Sequence, residues 1–181
     1  YRLTSKKQGE EFSISGMLIN GRNTNEFTNI GFQPMPVVSN NVGINREYIA
    51  QTDYVYPVTK TVTFEVGAKG IFRNIQSEYG GGTSQDFDYD QNVGAAYSTI
   101  AFNLTKKMQF KGGVRAEYTA IDFSNNKNDY FNLFPSAIIS QTIKGTTTLK
   151  LSYNRRIQRP SLSYLNPFFN DSNPFSVFQG N

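Results

Sequence analysis

The chain has no cysteine and no histidine. The first absence excludes a disulfide frame and thiolate chemistry; the second removes the commonest general base and the commonest metal ligand. A Ser/His/Asp or Cys/His constellation cannot be assembled from these residues, and no metal cage is visible in the sequence. Enzymatic activity is therefore not expected, and no cofactor is implied. No stretch approaches the roughly 18 consecutive apolar residues of a membrane helix, so strands would have to make any membrane crossing. No signal peptide opens the chain, which starts in mid-element at Tyr1-Arg2-Leu3 and stops at Gly180-Asn181. The expectation is a piece of a longer protein.

Aromatic residues are plentiful: 15 Phe and 11 Tyr in 181 residues. Disordered chains are depleted in aromatics, so order is expected despite the low mean hydropathy. The net charge of +4 is dispersed, with lysines in turns and acidic residues gathered in Glu78–Asp90. No basic stripe forms, and nucleic acid is not an expected partner.

Segments of about ten residues with every second position apolar run between alternating short and long polar connections. The short connections are Ser5–Glu10, Pro57–Lys60, Thr105–Lys107 and Ile143–Gly145. The long ones are approximately Gly21–Asn45, Asn74–Gln91, Ser124–Asn132 and Ile157–Asn181. Short turns at one end and long loops at the other are the habit of transmembrane β-barrels. A soluble all-β sandwich would show the alternation without the asymmetry.

In the clearest strand, Val62, Phe64, Val66, Ala68, Gly70 and Phe72 face one way, opposite Thr63, Glu65, Gly67, Lys69 and Arg73. Further strands are expected at Phe12–Ile19, Arg46–Tyr56, Asn92–Leu104, Met108–Ile121, Leu133–Thr142 and Thr146–Arg156. Pro135 is expected to mark the start of its strand, because proline breaks a ladder. Eleven residues tilted near 45° rise about 25 Å, enough to cross the hydrocarbon layer. A Lys or Arg turned into lipid at the midplane costs about 2–4 kcal/mol. Lys69, Arg73, Lys111, Arg115 and Lys150 therefore belong to the lumen, with Asp53, Glu65 and Glu117 beside them as a polar network. Tyr48, Tyr56, Tyr79, Tyr118 and Tyr153 suit aromatic girdles at the interfaces.

The expected fold is all-β, an antiparallel up-and-down transmembrane barrel. Residues 1–181 would supply about seven or eight strands of one barrel domain, and the open edges require further strands, since unpaired backbone is not tolerated in lipid. The expected location is the outer membrane, with the lipid bilayer as partner.

Four other features draw attention. Asp86, Asp88 and Asp90 share one face of an extended segment, a spacing that suits a hard cation such as Ca²⁺. No glycine turn or distant bidentate Glu completes such a loop, so the run reads as an acidic, solvated loop leading into a strand and no metal is expected. Gly80-Gly-Gly82 lacks the Lys-Ser/Thr and helix start of a phosphate loop and reads as a loop tip. Arg155, Arg156 and Arg159 would either attract anions at the barrel mouth or tie the loop to lumen carboxylates such as Glu117 or Asp53. Tyr164 and Phe168, with neighbouring loop aromatics, would stack on a ligand or pack the loop into the mouth.

Several motifs carry a family resemblance. Tyr48–Pro57 and Phe64–Lys69, then Gly112-Gly-Val-Arg-Ala-Glu-Tyr-Thr119, Asn132-Leu-Phe-Pro-Ser136, Tyr153-Asn-Arg-Arg-Ile-Gln-Arg-Pro-Ser161 and Leu165-Asn-Pro-Phe168 follow one another in order. Together they resemble the barrel of the outer-membrane β-barrel family of TonB-dependent receptors. The resemblance implies a barrel of about 22 strands, with an N-terminal plug and a TonB box coupling nutrient uptake to the proton-motive force, the plug and box contributed by chain outside this sequence. It also admits a non-transporting barrel that docks other outer-membrane proteins or a surface lipoprotein. A passive porin fits it least.

Overall fold

The computed structural model describes residues 1–29, 37–80, 87–123, 126–144, 147–159, 170–173 and 176–178. Eight strands form one antiparallel sheet in sequence order: β1 (Arg2–Thr4), β2 (Glu11–Asn29), β3 (Val37–Pro57), β4 (Val62–Gly80), β5 (Phe87–Thr105), β6 (Met108–Phe123), β7 (Asn126–Lys144) and β8 (Thr147–Asn154). Among the described residues there is no helix, and β1 and β8 keep free edges. Two short strands, β9 (Asn170–Asn173) and β10 (Ser176–Phe178), pair with each other, and β9 approaches β2. β9 thus lies toward the β2 side of the arc.

The register fixes both faces. One row runs Tyr56, Phe64, Ile100, Gly112, Ala137, Tyr153 across β3 to β8, and another runs Leu18, Tyr48, Phe72, Asn92, Ala120 across β2 to β6. Phe72, Tyr118, Leu149, Leu151 and Tyr153 on this face are all at least half exposed. Such a surface is stable only against hydrocarbon, and a one-residue slip would carry all of it into the lumen. Next beyond Leu18 and Phe72 on the same face comes Asn20, Arg46, Asn74, Asp90, Asp122, Lys127. The outer surface therefore changes from apolar to charged about ten residues above the turns, near the limit of the hydrocarbon.

The strands are longer than the alternation predicts. β2, β4, β5 and β7 have 19 residues each and β3 has 21. Much of the expected loops Gly21–Asn45 and Asn74–Gln91 is ladder, and the expected loop Ser124–Asn132 is mostly the start of β7. Nineteen residues at 45° rise about 44 Å, so these hairpins stand roughly 20 Å proud of a 25 Å band. Outside the membrane both faces can be wet, and strict alternation no longer reports the strand. β8 is shorter than expected, ending at Asn154 rather than Arg156.

Pro135 is a correction of another kind. It lies in the middle of β7, opposite Val114 of β6. Its carbonyl accepts from the Arg155 amide at 3.2 Å, on the β8 side and just past the end of that ladder. Carbonyl and amide of an antiparallel residue point the same way, so the missing N–H costs the β6 ladder nothing.

Candidate functional site

Across the apolar band the inner face carries the charged residues, linked across strands in tiers. Nearest the short turns, Lys111 Nζ of β6 donates to both oxygens of Glu65 of β4 at 3.0 and 2.8 Å, and Thr99 of β5 donates to Oε2 at 2.8 Å. Higher up, Arg73 Nε meets Glu47 Oε2 at 2.7 Å, while its Nη1 donates to Gln91 at 3.3 Å. Each cluster ties three successive strands.

Between them runs a longer chain of contacts. Tyr97 of β5 donates its hydroxyl to Asp53 of β3, and Gln51 Nε2 donates to Asp53 at 2.9 Å and to the Tyr97 oxygen at 3.2 Å. The ring crosses β4 over Gly67, where a Cβ would stand 2.6 Å from it. Only glycine leaves room for that crossing. Arg115 lies 5.5 Å from the Tyr97 centroid and donates to Glu117 Oε2 through Nε at 3.0 Å and Nη2 at 2.9 Å. Arg159, beyond β8, takes the other oxygen of Glu117 and donates to Thr119 at 3.3 Å. Glu117 is buried, and Thr119 is fully so. Two guanidiniums thus share one carboxylate, with the favourable charge-assisted geometry that offsets its desolvation.

Of the lumen residues expected from the sequence, Asp53, Glu65, Arg73, Lys111, Arg115 and Glu117 enter these tiers. Lys69 and Lys150 lie on the inner face but form no ion pair among the described residues; Lys150 is exposed on the edge strand. Arg159 ties the segment after β8 to Glu117, one of the two carboxylates expected for it. Tyr97, Thr99, Gln91 and Thr119 are additional members. Their position in the alternation is inward, but only the register brings Tyr97 opposite Gly67 and hence within reach of Asp53.

Arg155 and Arg156 adjoin the same place. With the Asn154 amide oxygen turned toward it, Arg156 donates Nε and Nη2 at 2.9 Å each. Arg115, Arg155, Arg156 and Arg159 line a pocket of about 390 Å³ around Glu117. Tyr164, Phe168 and Asp86 lie outside the described residues. Asp88 and Asp90 are on the outer face, where both accept from Asn74 Nδ2, at 3.5 and 2.9 Å. Among the described residues no group of three acidic side chains could hold a metal ion.

The upper inner face carries an apolar cluster beside the buried polar pair Ser77 and Asn41, where the wet-lumen expectation had no place for it. Phe87, Tyr89 and Ile75 are buried, with Ile121 and Phe123 packed on them; the Phe87 and Phe123 centroids are 5.3 Å apart. Phe87 and Tyr89 face inward, and Asp88 and Asp90 outward.

The geometry is that of a barrel wall: hydrocarbon-facing outside, ion-paired inside, incompletely closed. No curated protein and no solved structure matches the chain. The profile of the outer membrane protein beta-barrel family matches residues 3–181. The chain belongs to that family, as part of the wall of an integral outer-membrane β-barrel.

Proposed function

We propose that this chain is part of the barrel of a TonB-dependent outer-membrane receptor, taking up a nutrient through a plugged lumen. The observation that carries the reading is the inner wall, cross-tied by ion pairs at several heights on a sheet whose eight strands leave β1 and β8 unpaired. Lipid does not tolerate such edges, so the complete barrel is wider than this arc and has space for a plug. The order of motifs from Tyr48 to Asn181 supports the receptor in preference to an open porin. In this reading the chain has no catalytic role, and the TonB system is engaged by parts outside it.

Uptake of candidate nutrients, compared in cells with and without TonB, tests the proposal. Accumulation that requires both this receptor and TonB is the expected result. Uptake indifferent to TonB overturns it and favours a docking or assembly subunit.

A further inference from the structure

We infer that the pocket beside Glu117 is a binding site for a small organic anion bearing a carboxylate or phosphate group. The inference names the ligand class of the barrel proposed above and rests on that reading.

Charge is the first argument. Four guanidiniums line the pocket, and among the described lining residues Glu117 is the one carboxylate. Both Glu117 oxygens are already occupied, Oε2 by Arg115 and Oε1 by Arg159. The strong contact of Arg156 is to the neutral Asn154 amide, and among the described residues its charge has no ion-pair partner. A second carboxylate or a phosphate entering here meets surplus positive charge and planar donors suited to bidentate contact.

Unsatisfied hydrogen bonding is the second argument. Arg159 Nε is buried and has no acceptor among the described residues. Buried donors are nearly always partnered, so an orphan beside a cavity points to an acceptor that belongs there. Phe134 and Ile157 complete the lining, giving apolar surface to the carbon part of a ligand. The volume of about 390 Å³ falls within the range of small-molecule sites, roughly 300–1,000 Å³. The site is held in place from several elements: Arg115 and Glu117 on β6, Ser136 on β7, and the segment from Asn154, whose Arg155 amide is bonded to Pro135.

Calorimetric titration of the full-length receptor in detergent tests this, with citrate and inorganic phosphate as probes and glucose as the uncharged control. Saturable binding of citrate or phosphate is expected, absent for glucose and weakening as salt screens the charges. Arg156→Gln should weaken it about tenfold or more, the scale of a lost charge-assisted contact. Should that variant not fold, Arg156→Lys keeps the charge but loses the fork, and must still weaken binding severalfold. No saturable binding to the wild type, or equal binding by the folded variants, overturns the inference. Binding measured alongside TonB-dependent uptake separates the two proposals. Anion binding with TonB-independent uptake removes only the transporter reading. TonB-dependent uptake without anion binding removes only the site.

Discussion

The hydroxyl of Tyr97 on β5 reaches the carboxylate of Asp53 on β3 by crossing the intervening strand over Gly67. Three strands are locked by one side chain lying flat on the wall. A methyl group at position 67 would sit 2.6 Å from the ring and displace it. Gly67→Ala should therefore destabilise the barrel by about 1–3 kcal/mol, as overpacking does. Tyr97→Phe, which keeps the ring and loses only the hydroxyl, should cost less. Denaturant unfolding of the full-length barrel in detergent measures both. Equal stability of Gly67→Ala and wild type would show that the ring is not held there.

The face assignment predicts an asymmetry between two arginine substitutions. Val66 is 40% exposed on the outer face of the apolar band. Ser15, opposite Gln51, belongs to the inner face. Val66→Arg should cost about 2–4 kcal/mol and Ser15→Arg far less, because only the first charge enters lipid. Folding yield into lipid vesicles, read by the heat-dependent mobility shift of folded barrels, compares them. Equal yields would overturn the assignment.

Glu117 holds two guanidiniums of opposite origin, one from the wall and one from the chain beyond β8. Glu117→Ala leaves both without a counter-charge. Breaking a well-buried pair costs about 3–5 kcal/mol, less here because both arginines retain some solvent. A loss of about 2–3 kcal/mol is expected, together with release of the segment around Arg159. A spin label at Ile157 should become more mobile in Glu117→Ala and stay ordered in Lys150→Ala, whose charge forms no ion pair among the described residues. Equal mobility in the two variants would mean that Glu117 is not the anchor.

The sequence made the lumen face legible because every second residue across the membrane must satisfy lipid. Lys111, Arg115 and Glu117 could be placed on energy alone. That constraint ends with the hydrocarbon. Past Leu18 or Phe72 both faces can be polar, so strand residues such as Asn20–Asn25 look like loop, and β2 to β4 read too short. Phe87 and Tyr89 show the reverse: their alternation with acids was visible, but which side faced inward was not. Pro135 misled because the rule for proline depends on which neighbour its amide would have served. That is a property of pairing, not of sequence. Arg159 was legible as a partner for Glu117 or Asp53, and the choice between them required the register.

Topology follows from the two ends of the sheet. The turns at Val58–Thr61 and Lys106–Lys107 lie at the end that faces the periplasm in barrels of this kind. Cysteine substituted at Asp88 should react with a membrane-impermeant maleimide on intact cells, and cysteine at Lys106 should not. The opposite pattern would invert the barrel.

Glu10 gives the short-turn end a pH dependence of known sign. Its carboxylate accepts from the Tyr54 hydroxyl at 2.6 Å. That bond, with Ser5 and Lys7 contributing, holds its pKa below the ordinary 4.5. A carboxyl whose folded value is depressed stabilises the fold fully above its unfolded value, and the contribution disappears as pH falls through the folded value. The turn that joins β1 to β2 should thus loosen only on acidification below about pH 4.5, with no change between pH 6 and 8. Carboxyl-carbon NMR on glutamate-labelled protein should place the Glu10 midpoint below the ordinary value. Tyr54→Phe should move it back up, since it deletes the largest cause of the shift and leaves the aromatic ring. A midpoint unmoved by that substitution would show that the hydroxyl does not hold Glu10.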